Sequence, residues 1–240
     1  ALSLRRCEVL KVAKVYHAEL WGLREDKYKS LSETDVQTTQ WQELKPNSPF
    51  YFFVPREEKL RPEYEKGWKV TEVFSTRSVG LVTARDGLTI RWSRKDMEDT
   101  VHDFANLSEE EARDKYRLGS DVRDWKVASA QKDLRNVGLR PELIISILYR
   151  PFDLRVTYYT GQSRGFIGQP QQRIMRHMLA GNNIGLCTNR EVNGDFHHIL
   201  CSRDLINDCT VSLQTRERTY LFPLYLYPAE GEMQFEGGHR

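Results

Sequence analysis

Residues 154–190 read LRVTYYTGQSRGFIGQPQQRIMRHMLAGNNIGLCTNR. Leu154–Tyr159 is rich in β-branched and aromatic residues, the composition of a strand. Pro170 opens a helical segment over 170–180 that Gly181 closes, the usual asymmetry of helix ends. Inside it Ile174, Met175, Met178 and Leu179 recur at helical spacing as one apolar stripe. Asn183–Thr188 then reads as strand again. Strand, loop, helix and strand in 37 residues, with more short strands and amphipathic helices around them, predict an α+β fold: two lobes with short mixed β-sheets flanked by helices. The same stretch has no Asp or Glu but carries Arg155, Arg164, Arg173, Arg176 and Arg190, a local +5 in a chain of net charge +2.

Towards the N-terminus, Val9, Val12, Ala13, Tyr16 and Leu20 recur at helical spacing and predict a helix over 6–21. Phe50–Val54 reads as a buried strand bounded by Pro49 and Pro55. Further strands are expected at Val70–Phe74, Gly80–Thr83 and Leu88–Trp92, and helices at 94–105, 108–118 and 124–136. The helix at 108 opens with Ser108-Glu109-Glu110-Glu111, a capping box. Towards the C-terminus, strands are expected at Phe196–Cys201 and Tyr220–Tyr225. Gly138 and Pro141 interrupt the helical pattern, dividing the chain into an N-terminal lobe at 1–138 and a β-rich lobe at 139–228, with a tail at 229–240. Val79–Asp86 echoes Ile184–Glu191, sharing Gly, Leu, Thr and Arg; over eight residues without wider similarity, coincidence is a safer reading than duplication.

A chain of 240 residues with 39% hydrophobic residues buries a real core. No apolar run approaches the roughly 18–20 residues of a membrane span, and Ala1–Arg6 is not followed by the apolar segment of a signal peptide. The four Cys do not read as a disulfide framework. The expected location is the cytoplasm, and a first residue of Ala rather than Met reads as a segment of something longer. There is no phosphate-binding Gly-Lys loop, dinucleotide fingerprint or nucleophile elbow. Ser48-Pro49-Phe50 has one Pro where adenine methyltransferases carry two. Glu25-Asp26-Lys27 and Glu57-Glu58-Lys59 match a nuclease triplet, but in charged, helix-like contexts where such triplets arise freely. His197, His198, Cys201 and Cys209 lack metal-ligand spacing, and strand alternation sends the two His to opposite faces. No catalytic or metal residue is assigned.

The basic residues point to nucleic acid. All 12 Lys lie at or before Lys132, so the C-terminal excess is Arg alone. Arg recognises phosphate or guanine in planar, bidentate fashion. On the 170–180 helix, Gln172, Arg173, Arg176 and His177 occupy much of the face opposite the apolar stripe. Its N-terminus adds unpaired N–H groups and Gln171, and Gln pairs bidentately with adenine. The preceding loop, Gly161–Gly168, is polar, Gly-rich and expected to be mobile enough to follow a groove. Arg85 and Arg190 precede the polar turns Asp86-Gly87 and Asn193-Gly194 and are expected to project from a sheet. The candidate DNA contacts are therefore Arg85, Arg164, Gln171, Gln172, Arg173, Arg176, Asn189 and Arg190. If about five Arg neutralise phosphates, log K against log salt slopes near −4.5. Tyr158, Tyr159, Trp92 and Trp125 are weaker candidates, since most strand aromatics are core.

The chain resembles the target-recognition region of type ISP restriction–modification enzymes. The matching stretches, in order, are Leu20–Lys27, Pro49–Pro55, Glu63–Trp68, Gly80–Asp86, Tyr149-Arg150-Pro151-Phe152-Asp153-Leu154-Arg155, Met175–Leu179 and Tyr220–Pro228. The resemblance implies sequence-specific binding of a short asymmetric duplex DNA site, with no cofactor needed for binding. It implies methyltransferase and translocase domains of the same polypeptide as partners. It also implies S-adenosylmethionine, ATP and Mg²⁺ as cofactors of the parent enzyme. Within the matched motif, Asp153 is expected to pair with Arg150 or Arg155. Two other readings remain: an interaction lobe that docks methyltransferase to translocase through Tyr220–Tyr227, and a small metal-dependent nuclease using Glu25/Lys27 or Glu57/Lys59.

Overall fold

A computed structural model describes residues 13–192, 195, 198–211 and 217–228. The chain divides into two compact units, residues 1–68 and 69–240. Among the described residues of the first unit are β1 (Val15–His17), α1 (Arg24–Glu33), β2 (Gln42–Leu44) and α2 (Arg61–Tyr64). β1 and β2 pair antiparallel, Val15 opposite Leu44. Where a helix was expected, Val15 and Tyr16 are instead strand, because their backbone groups pair with β2 and Tyr16 is 49% exposed rather than packed. The part of that expected helix at 6–12 lies outside the described residues. Phe50–Val54 is not a buried strand: Phe50 ends a turn, Tyr51 has φ 46°, and Phe50 and Phe53 are exposed.

The second unit holds α3 (Val70–Val73), β3 (Ser78–Val79), α4 (Asp86–Thr89), α5 (Arg94–Asn106), α6 (Glu109–Tyr116), α7 (Val127–Val137), β4 (Ile144–Arg150), β5 (Asp153–Tyr158), α8 (Gln172–Leu179), β6 (Gly185–Asn189), β7 (Ile199–Ser202), β8 (Leu205–Ile206) and β9 (Thr219–Pro223). One sheet is antiparallel in the order β3-β9-β6-β7; the other runs β5-β4-β8, with β8 parallel to β4. This is the expected α+β fold with mixed sheets. The expected strand at 70–74 is one helical turn, because Glu72 accepts from the Lys69 N–H at 3.2 Å and pairs with its ammonium. At Leu88–Trp92 the Thr89 and Ile90 N–H groups return to Arg85 and Asp86, leaving Arg91 to bridge Val156. Gly80–Thr83 contributes isolated bridges, Leu81 to Asn207 and Val82 to Gln169.

The three expected helices form. Ser93 caps α5, whose Met97, Val101 and Phe104 are buried at helical spacing. Ser108 and Glu111 close the reciprocal capping box of α6. α5 packs on β4 and β5, α7 packs on α5 and α6, and buried residues from both sides of Gly138 share one core, including Phe104, Trp125, Leu134, Ile147, Tyr158 and Phe166. In the matched motif Asp153 pairs with Arg155 at 2.9 Å, whereas Arg150 donates to Asn207 at 3.1 Å.

Candidate nucleic-acid interface

The loop from Thr160 to Gln171 is held from below. Asp133, buried in α7, accepts from the Phe166 N–H and the Thr160 hydroxyl, both at 2.8 Å. Trp125 Nε1 donates to the Phe166 carbonyl at 3.1 Å, and the Tyr159 hydroxyl to that of Pro170 at 3.0 Å. Phe166 and Ile167 are buried, and Gly165 lies so close to Asp133 that a Cβ would enter the carboxylate. A glycine-rich segment is thus converted into a platform by side chains distant in sequence.

On this platform the chain forms an open concavity of about 720 Å³. Arg164 and Arg173 line it with Gln171 and Gln172, and Arg77, just before β3, is a third guanidinium. Arg77, Arg164, Gln172 and Arg173 are exposed. Arg164 and Gln171 have positive φ, 58° and 51°, the sharp turns that bring the loop onto the first turn of α8. Gln172 leans over Gly161, where a Cβ would lie 3.2 Å from Nε2. One acid, Asp124, lines the concavity; Arg123 holds it at 2.8 Å, and this contact, with Arg164 nearby, keeps its carboxyl below the usual range. Arg77 was absent from the sequence candidates. It arrives through β3–β9 pairing and the Val82–Gln169 bridge, long-range contacts without a local signature.

The remaining candidates lie elsewhere. Arg85 is half-buried: its guanidinium donates to the carbonyls of Ala84 at 3.0 Å and Ser120 at 2.9 Å and lies 5.0 Å from the Trp125 ring centroid. Arg176 donates to the Tyr227 carbonyl at 2.9 Å. Asn189 is buried, its amide 3.4 Å from Glu217. Arg190 is exposed beside Arg218 and Tyr220. Asn193 and Gly194 lie outside the described residues. His177 is buried rather than on the polar face; burial and neighbouring Arg176 lower its pKa, and Nδ1 accepts the Tyr227 N–H at 3.0 Å. Leu179 of the expected apolar stripe is 45% exposed. Tyr158, Tyr159 and Trp125 are core, while Trp92 is exposed with Arg155 stacked 3.8 Å from its ring centroid.

Among the described residues no three His, Cys, Asp or Glu side chains are grouped to hold a metal, and no helix is long and apolar enough to cross a membrane. His197 lies outside the described residues. Cys187 is buried, which pushes its thiol up to about 12. Glu57 pairs with Lys59 at 3.2 Å, both exposed.

No curated protein matches the chain in sequence. Among solved structures it resembles DrdV in complex with DNA (TM-score 0.51, 19% identity, covering 87% of this chain and 22% of that one). It also resembles a nuclease-deletion mutant of the type ISP restriction–modification enzyme LlaGI in complex with a DNA substrate mimic (0.50, 15%, 87% and 21%). A third is the ATP-dependent type ISP restriction–modification enzyme LlaBIII bound to DNA (0.50, 16%, 81% and 13%). The chain therefore spans about a fifth or less of the length of these proteins. Residues 72–240 match the type ISP C-terminal specificity domain, and with that match covering more than two thirds of its length the chain belongs to this family.

Proposed function

We propose that this chain is the sequence-specific duplex-DNA reader of a restriction–modification polypeptide. The observation that carries the reading is the concavity where Arg77, Arg164 and Arg173 meet Gln171 and Gln172 on a buttressed loop. The guanidiniums supply phosphate or guanine contacts and the Gln side chains supply adenine edges. Asp124 opposes them little, because Arg123 already engages it. Arg190 adds a separate exposed contact, and Asn189 sits behind it at the end of β6. Arg85 and Arg176, whose donors reach backbone carbonyls, position the scaffold. The reading also rests on family membership and on the DNA, or DNA substrate mimic, bound in the three similar structures.

Binding itself needs no cofactor. The rest of the polypeptide would use S-adenosylmethionine for adenine methylation and ATP with Mg²⁺ for translocation and cleavage. Its methyltransferase and translocase domains are the intramolecular partners, and the enzyme acts in the cytoplasm. The test is a selection from randomised duplex DNA at low salt, followed by sequencing. Enrichment of one non-palindromic motif is the expected result. Absence of binding, or binding without enrichment that persists beside the methyltransferase domain, sinks the proposal.

A further inference from the structure

Beyond β9 the chain continues through residues 224–228 without regular structure, and Leu224, Tyr225 and Leu226 are exposed. Its backbone is nonetheless tied down. The Leu224 N–H donates to the Ile184 carbonyl at 2.9 Å. The side chain of Asn183, buried between α8 and β6, accepts the Tyr225 N–H at 3.1 Å and donates to the Tyr225 carbonyl at 2.8 Å. Tyr227 is held at three points. Its N–H donates to His177 Nδ1 at 3.0 Å, its carbonyl accepts from Arg176 at 2.9 Å, and its hydroxyl donates to the Asn182 carbonyl at 2.9 Å. A Cβ at Gly181 would stand 3.0 Å from that hydroxyl, so the ring lies directly against the turn after α8. Exposed segments without sheet pairing ordinarily open easily; here side chains of α8 and of the turn after it supply the missing partners.

The helix gripped in this way is the one that carries reading side chains. Arg176 and His177 follow Arg173 by three and four residues, one turn along the same face of α8. α8 has eight residues, too few to hold a direction by itself in water, and its first turn places Gln172 and Arg173 in the concavity. We propose that residues 224–228 are a strap that aims α8, with His177 and Asn183 as positioning residues for Gln172 and Arg173. This rests on the DNA reading proposed above. The strap depends on one proton. His177 Nδ1 accepts from Tyr227, so the bond exists only while that nitrogen is unprotonated. A proton there sets two donors against each other and a second cation beside Arg176. The other ionisable groups in residues 172–189 and 219–228 are Arg173, Arg176, Cys187, Tyr220, Tyr225 and Tyr227, with no Asp or Glu. No carboxylate of α8, β6, β9 or the strap therefore offsets the new charge. Burial and Arg176 favour the neutral ring, so the strap is engaged above the ordinary His value, about 6.5, and is released as pH falls through the lower folded one.

The test compares the 240-residue chain with His177→Leu, which removes the acceptor, and His177→Asn, which keeps one and does not titrate. Affinities are measured at about pH 7.5 and about pH 5, either side of the His range. The probes are the duplex motif enriched from randomised DNA and a scrambled duplex of the same length. Amide exchange at Tyr225 and Tyr227 reads the strap without DNA. In the wild type, the preference for motif over scrambled duplex should fall at least ~5-fold at the lower pH, together with protection of the Tyr227 amide. His177→Asn should hold its preference between the two pH values, and His177→Leu should show the reduced preference at both. A wild-type preference that survives acidification would overturn the inference and leave the DNA reading standing. So would an equal fall in His177→Asn, or full preference in a folded His177→Leu. If His177→Leu does not fold, the pH profiles of the other two proteins decide. A chain that enriches no motif loses the DNA reading and this inference with it.

Discussion

Gly165 and Asp133 show how a single side chain holds a glycine-rich loop in one conformation. A Cβ at Gly165 enters the Asp133 carboxylate, and that carboxylate holds the Phe166 N–H at 2.8 Å. Gly165→Ala is expected to cost about 1–3 kcal/mol, the range for forced repacking of a buried site, read from the denaturant midpoint at constant m-value. Arg85 and Arg173 make a complementary pair. Arg85 bonds two carbonyls beside the buried Trp125, whereas Arg173 is exposed in the concavity. Arg85→Ala should therefore lower Tm. Arg173→Ala should leave stability within about 0.5 kcal/mol while weakening DNA binding at every sequence alike. Equal Tm for the two variants would mean that the Arg85 bonds do not stabilise the fold.

At the scale of elements, α5, α6 and α7 were legible because each carries its own start signal or period. Ser93 and Ser108 cap two of them, and the buried positions of α5 recur at helical spacing. Replacing Ser108 by Ala should cost about 1 kcal/mol. α6 is tied to α5 at Asp103, which accepts from Lys115 and Tyr116, both at 2.6 Å; these bonds hold its pKa below the usual carboxylate range. The sign follows from linkage: a depressed native pKa contributes stability that is complete above the unfolded value, near 3.9 on average, and is lost as pH falls through the folded one. Tm should fall on acidification below about pH 4, and Asp103→Asn should reduce that fall. An unchanged acid limb would show the contact to be neutral. The expected strands at 70–74 and 88–92 failed because β-branched composition reports fit to a half-buried pleat; with no long partner strand, local hydrogen bonds won.

For the whole specificity unit, the electrostatic consequence is measurable. With Arg85 and Arg176 engaged by carbonyls, the proposed exposed phosphate contacts reduce to Arg77, Arg164, Arg173 and Arg190. The salt dependence should then slope near −3.6, from about −0.9 per contact, rather than near −4.5. Removing Arg77 should reduce the slope by about 0.9. A slope unaffected by Arg77→Ala would place the DNA away from the concavity.

The sequence alone determined the α+β class, the capped helices, the strand–helix–strand order around α8 and the acid-free Arg-rich stretch. Each is a local property: periodicity, caps and charge lie within a few turns of chain. Its motif order also pointed to the family that the match over 72–240 shows. Tertiary structure alone decided which Arg face solvent, that Arg77 joins Arg164 and Arg173, that Asp133 fixes the loop beneath them, and that Val15 and Tyr16 form strand. Those outcomes depend on pairing between segments far apart in the chain, and a hydrogen bond from Trp125 to Phe166 or from Val82 to Gln169 leaves no trace in the residues that flank either end.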